Sequence, residues 1–202
     1  MADAGQGDHE HDQEDETTPG YKPPAEKPLD QILQLDQDDE SLKKYKEQLL
    51  GGTNVAGLEV FPEDPRHVIV IKCALLVDGR PDIEMDLAPE SVKELKKKTF
   101  LLKEGCSYRM CVYFYVQRDI VTGLRFTQKS FRKGIQVDKM NHMVGSYGPK
   151  KELQSYTTPP EEVPSGMLAR GHYTNKSLFT DDDKNEHLKW EWNLEIKKDW
   201  KD

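Results

Sequence analysis

Cysteine is scarce in this chain, and its pattern suits neither of the two structural uses of thiols. Cys73, Cys106 and Cys111 make an odd number, and no Cys-x-x-Cys or Cys/His zinc spacing occurs. The sequence therefore predicts no disulfide framework and no thiolate metal centre. Cys73 and Cys111 fall in apolar, strand-like runs, where a free thiol behaves as a small buried hydrophobe. Reduced thiols fit a cytoplasmic protein. Basic charge is also lacking: the net charge is −8. That argues against nucleic acid, whose phosphates require a basic surface, and leaves room for a basic partner. No apolar run approaches the ~20 residues of a membrane span. The opening MADAGQGDHEHDQEDE has neither a basic n-region nor an apolar h-region, and the closing KKDWKD has no prenylation motif. No direct membrane insertion is expected, and any membrane link should come through a partner. Catalytic signatures are missing as well: no GxSxG, P-loop, GxGxxG or HExxH is present. The expectation is a protein that is not an enzyme, with no catalytic residue, cofactor or metal.

What is present is an acidic start, an arm and a run of strands. Residues 1–20 carry Asp3, Asp8, Glu10, Asp12, Glu14, Asp15 and Glu16 with no Lys or Arg. Such a segment buries too little apolar surface to offset its ordering entropy and should form a disordered tail. Residues 21–65 read as an arm and linker. After the Pro-rich Tyr21-Lys22-Pro23-Pro24, one helix signal places Leu29, Ile32, Leu33 and Leu35 on one face. A second repeats Leu42, Tyr45, Leu49 and Leu50, with Asp38 and Asp39 at its start to cap free N–H groups and Gly51-Gly52 at its end. Helices this short are marginal alone. Their apolar faces either pack on their own domain or gain structure on a partner. Residues 51–65 are rich in Gly and Pro.

From residue 66 the period changes to two. Strand runs are read at 67–77, 99–102, 108–116, 122–132, 135–144, 167–179 and 188–197, with a short helix at 89–98. In the last run Leu188, Trp190, Trp192, Leu194 and Ile196 alternate with polar residues. This is the pattern of an all-β, antiparallel sandwich. Trp190 and Trp192 share a face. By pattern they either fill a sandwich core or wall an apolar cleft for a chain-like ligand. Asp181-Asp182-Asp183, Glu161-Glu162 and Asp138 read as solvated carboxylates able to complement a Lys/Arg run. Asp181–Asp183 lacks the spacing of a calcium loop.

Several longer strings bear a closer resemblance. Leu35-Asp36-Gln37-Asp38-Asp39-Glu40-Ser41-Leu42, Met143-Val144-Gly145-Ser146-Tyr147-Gly148-Pro149, Gly166-Met167-Leu168-Ala169-Arg170-Gly171, Phe179-Thr180-Asp181-Asp182-Asp183-Lys184 and Trp190-Glu191-Trp192-Asn193-Leu194 closely resemble the Rho GDP-dissociation inhibitor family. The match runs from about residue 21 onward. The resemblance implies an Ig-like β-sandwich over 66–202 with a flexible, partly helical N-terminal arm. Its implied partners are geranylgeranylated Rho/Rac/Cdc42-type small GTPases, bound by a monomer as a 1:1 heterodimer. The arm would clamp the switch regions and slow GDP release. The sandwich would shelter the isoprenoid and extract the GTPase from membranes.

Residue by residue, the resemblance implies a prenyl pocket of Leu75, Phe100, Tyr108, Ile120, Trp190 and Trp192. It implies arm contacts by Tyr21, Asp39 and Tyr45, and an acidic surface of Asp138, Glu161, Glu162 and Asp183 facing the GTPase. Some positions depart from the family pattern. Asn175 stands near the pocket where an aliphatic residue is common; a buried unpaired amide is costly, so it is expected at the rim or with a partner. Thr99 and His172 replace serines that some relatives use for phosphoregulation, so that regulation is not expected here.

Overall fold

A computed structural model describes residues 39–50 and 58–200. The acidic tail, Tyr21 and the first helix signal lie outside the described residues. Helix α1 (Glu40–Leu50) follows Asp39, whose Oδ1 accepts the N–H groups of Ser41 at 2.9 Å and Leu42 at 3.1 Å. This is the N-cap expected from the sequence, satisfying donors that no helical carbonyl can reach.

The strands form two sheets. The first has the order β2 (Ile83–Asp86), β1 (Val68–Val77), β4 (Ser107–Val116) and β7 (Gln154–Thr157), with β8 (Glu161–Glu162) also paired to β4. The second has the order β3 (Thr99–Lys103), β10 (Glu186–Lys197), β9 (Gly171–Thr180), β5 (Val121–Arg132) and β6 (Ile135–Tyr147). Every pairing is antiparallel except that of β3 with β10. A short helix, α2 (Pro89–Leu95), buries Leu95. Its first turn is tied by Asp86, which accepts from the Ala88 N–H and the Ser91 hydroxyl.

Period-two sequence sets which side chains meet. Met110, Val112, Phe114 and Val116 of β4 face inward and are buried, as are Trp190, Trp192 and Ile196 of β10. On the inner face of the second sheet Phe126 stacks on Trp190 and Phe100 meets Trp192 edge-on, while across the interface Phe114 meets Phe179. Each fully buried side chain among them, such as Phe114, Phe126 or Phe179, contributes roughly 1.5–3 kcal/mol by leaving water. The β5–β6 hairpin closes on Lys133-Gly134 with positive φ at both, the two-residue turn whose twist suits a hairpin.

Two local features depart from the sequence reading. The strand expected at 167–179 begins only at Gly171. Met167 and Leu168 are exposed in the preceding loop, because Gly166 and Gly171 both adopt positive φ and Arg170 is held away by Glu104. The described end of the Gly/Pro-rich stretch, from Glu59 to Arg66, is fastened to the sandwich. Gln117, fully buried, accepts the Phe61 N–H through Oε1 and donates from Nε2 to the carbonyls of Asp64 and Arg66. Arg118 donates to the Glu59 carboxylate and the Pro62 carbonyl, and adopts φ +70 to do so. Phe61 packs edge-on against Tyr115. These two side chains form a clasp at the turn where the chain passes from the first sheet to the second.

Candidate functional site

Five of the six expected pocket residues come together between the sheets. Leu75, Trp190 and Trp192 belong to the main buried core, and Phe100 and Tyr108 pack against it, partly exposed. Their elements fix them: Leu75 on β1 is paired with Met110, Phe100 on β3 with Leu194, and Trp192 on β10 with Asn175. Ile120 stands apart. It lies half-buried on the β4–β5 turn beside the clasp, outside that core. Tyr108 is at the other end of β4, and the eight-residue rise between Tyr108 and Val116 is about 27 Å. The expected cleft has no separate lining: its walls pack on one another.

The Tyr108 end is acidic. The Tyr108 hydroxyl donates to Glu161 Oε2 at 2.9 Å, and Glu161 Oε1 lies 3.8 Å from His142 Nε2. Burial, and then the Glu161 charge, push the phenol well above its ordinary range, so the hydroxyl stays a neutral donor. Glu162 is exposed beside it on β8, opposite Ser107, and Asp138 is exposed on β6. Asp183 is not part of this cluster. It lies in the β9–β10 turn, at the end that Ile120 occupies. That turn sits tightly on β5: a Cβ built on Gly123, which has φ +62, would fall 1.9 Å from the Asp182 carboxyl group.

A polar patch inside the sandwich was not read as a site from the sequence. Gln128, Asn175 and Ser177 are all buried. Ser177 donates to Gln128 Oε1 at 3.0 Å and accepts from Trp192 Nε1 at 3.2 Å. Asn175, expected at the rim or with a partner, is instead buried, and its Nδ2, like Trp190 Nε1, has no hydrogen-bond partner. The signal was available as polar letters at inward positions of β5 and β9. An unpaired buried donor costs about 1–3 kcal/mol. Asn175→Val is therefore expected to raise stability by roughly 1 kcal/mol, read from the urea midpoint; a lower midpoint would mean that the amide is satisfied.

At the same end, the 164–170 loop is anchored by Glu104. It accepts from Arg170 Nε and Nη2, both at 2.7 Å, and from the Gly166 N–H at 2.9 Å. The Arg170 guanidinium, then the Gly166 amide, hold its carboxyl at about 2 against an ordinary 4.5. A depressed folded-state pKa contributes stability above the unfolded value and loses it as pH falls toward the folded one. Wild type should thus lose stability between pH about 4.5 and about 2 more steeply than Glu104→Gln, in urea melts across that window. Parallel curves would remove Glu104 from the acid response.

Elsewhere a surface cleft of about 380 Å³ is lined by Glu84, Asp86, Glu90, Ser91, Glu94, Leu95 and Lys98. Glu84 and Glu94 are paired with Lys72 and Lys97, and Asp86 accepts from the Ala88 N–H and the Ser91 hydroxyl, so three of its four carboxylates serve the fold. Among the described residues no group of His, Cys, Asp and Glu is placed to hold a metal, and no helix is long and apolar enough to cross a membrane. On α1, Asp39 and Tyr45 are exposed, as is Leu42.

Comparison with known proteins supplies what this geometry leaves open. The family described as RHO protein GDP dissociation inhibitor matches residues 6–199. Human Rho GDP-dissociation inhibitor 1 is 50% identical over 191 residues, covering 94% of this chain and 91% of that protein. Human Rho GDP-dissociation inhibitor 3 is 47% identical over 189 residues, covering 93% and 82%. The bovine inhibitor 1 is 49% identical over 191 residues. A two-sheet sandwich with an aromatic interior, preceded by a capped helix with exposed Leu42 and Tyr45, and matched in sequence almost throughout, belongs to the Rho GDP-dissociation inhibitor family.

Proposed function

We propose that this chain is a cytosolic carrier of geranylgeranylated Rho-type GTPases. It lodges the isoprenoid between its sheets and holds the switch regions with its arm. The observation that carries the reading is the aromatic interior of Leu75, Phe100, Trp190 and Trp192, ending at a neutral Tyr108 hydroxyl with acidic neighbours. Each buried CH₂ is worth about 0.8 kcal/mol, so a twenty-carbon prenyl chain is held in a bilayer by roughly 10 kcal/mol or more. Only an apolar interior can offset its loss. Because the walls touch in the free chain, entry requires the sheets to part. The unpaired Asn175 and Trp190 donors favour that opening, since they forfeit no hydrogen bond when the packing around them changes.

The charged groups then take separate tasks. Glu161, Glu162 and Asp138 lie where a prenylated tail would enter, and their carboxylates would compete with anionic lipid for its lysines. Asp183 and Ile120 act at the clasp end, near the root of the arm. Asp39 and Tyr45 meet the switch regions; Asp39 keeps one carboxylate oxygen beyond its cap bonds. Tyr21 is assigned there by resemblance alone. Two linked contacts make the second engagement intramolecular.

The test is extraction. Liposomes loaded with prenylated, GDP-bound GTPase are mixed with the full chain and sedimented. The GTPase should move to the supernatant with wild type. With Asp39→Ala, its nucleotide exchange should be several-fold less inhibited. A GTPase that stays with the pellet at saturating protein rejects the carrier reading, and unaltered inhibition by Asp39→Ala removes that residue from the arm contact.

A further inference from the structure

The outward face of the second sheet carries a charge pattern that folding does not explain. Lys129 of β5 stands directly opposite Lys139 of β6 on one side and Lys176 of β9 on the other. Directly paired residues project to the same side of a sheet. Three ammonium groups therefore line up across three adjacent strands, at a strand spacing of about 4.8 Å. All three are exposed. Like charges placed opposite one another destabilise a sheet. None of the three has an ion-pair partner among the described residues, and Lys176 lies 4.9 Å from the centre of the Phe131 ring.

The rest of the face extends the pattern. Lys189 of β10, opposite Leu178, adds a further exposed cation. Glu191, opposite Lys176, is the carboxylate in the row, and it lies within 3.9 Å of Lys96. Apolar side chains are interleaved with the cations: Phe131 and Leu178 are half-buried, and Met143, opposite Arg125, is 55% exposed. In a chain of net charge −8 this surplus is a local arrangement and does not follow from composition. A sheet face is broad and shallow, so its cations can all reach a flat partner together.

We propose that this face is a docking surface for an anionic bilayer, with the lysines against lipid headgroups and Met143 and Phe131 at the interface. The contact is peripheral and crosses nothing. It is independent of the carrier reading, although it would bring the sandwich to the membrane where a prenylated cargo resides.

The experiment uses the full chain alone, without GTPase. Sedimentation is measured with phosphatidylcholine vesicles and with phosphatidylcholine/phosphatidylserine vesicles, at low and near-physiological ionic strength. A basic residue near an anionic surface is worth about fivefold in affinity, so Lys129→Gln/Lys139→Gln/Lys176→Gln should weaken binding about a hundredfold. The corresponding triple Arg variant should bind as wild type does, and added salt should weaken both. Equal binding to the two kinds of vesicle overturns the proposal, as does a triple Gln variant of unchanged affinity. So does absent vesicle binding with a triple Gln variant that binds unprenylated GTPase less well, which would assign the face to an acidic protein surface. Because no prenylated cargo is present, failure here leaves the extraction result untouched.

Discussion

A GTPase stripped of its isoprenoid should bind this chain at least about a thousandfold more weakly than its prenylated form. The physical basis is the size of the apolar transfer. If the interior recovers only half of the roughly 10 kcal/mol that holds the prenyl chain in a bilayer, about 5 kcal/mol of affinity depends on the lipid. That is more than three orders of magnitude in Kd. The arm cannot mask the loss, because its contacts are present in both complexes. Titration of the two forms against the full chain, in detergent-free buffer, measures the ratio directly. A ratio under about tenfold would mean that the aromatic interior serves only as a core.

Gln117→Ala is expected to lower the unfolding free energy by about 3 kcal/mol, with a much smaller effect on binding. Gln117 satisfies the Phe61 N–H and the carbonyls of Asp64 and Arg66, and it is fully buried. Truncation leaves these groups short of partners, and an unmet buried group costs about 1–3 kcal/mol. Water reaching the exposed 61–66 backbone would relieve part of that. The binding effect follows from chain length. Residues 51–58 separate α1 from the first anchored side chain, Glu59, which Arg118 still holds in Gln117→Ala; even loss of the whole clasp would lengthen the span only to 51–66. Doubling a connecting segment costs only about 0.6 kcal/mol, roughly threefold in effective concentration. Urea unfolding should therefore register the substitution strongly and exchange inhibition weakly. Unaltered stability would show that the Gln117 hydrogen bonds count for little in water.

The legible parts of the fold were those where one side chain in two is large and apolar. The runs at 67–77, 108–116 and 188–197 fall on β1, β4 and β10, and in β10 the buried Trp190, Trp192 and Ile196 lie on the face read from the alternation, because burial selects alternate residues whatever the strand's partner. Strands β2, β7 and β8 escaped notice. They are short, lie at the edges of the first sheet and hold few buried residues, so nothing in their sequence had to alternate. Met167 and Leu168 misled in the opposite sense, since hydrophobic letters alone do not reveal positive-φ glycines on either side. For the site, the Trp190/Trp192 pairing was plain from spacing. Whether Trp192 would meet Phe100 depended on β3 pairing with β10, which no local pattern announces. The closeness of Tyr108 to Glu161, and the separation of Ile120 and Asp183 from both, are likewise products of topology. The clasp was invisible for a different reason: one glutamine gripping a Gly/Pro-rich stretch through backbone groups leaves no side-chain signature in its partner.

The parallel pairing of β3 with β10 bears on how fast the sandwich forms. Thr99 must find Asn193, and the intervening chain includes every other strand of that sheet. Bringing such distant segments together is entropically costly before any contact repays it, and all-β domains with remote pairings fold in about milliseconds to seconds. The sheet that holds Trp190 and Trp192 is thus the slower to be completed. Until β10 arrives, β3 and β9 each present an open strand edge to other chains.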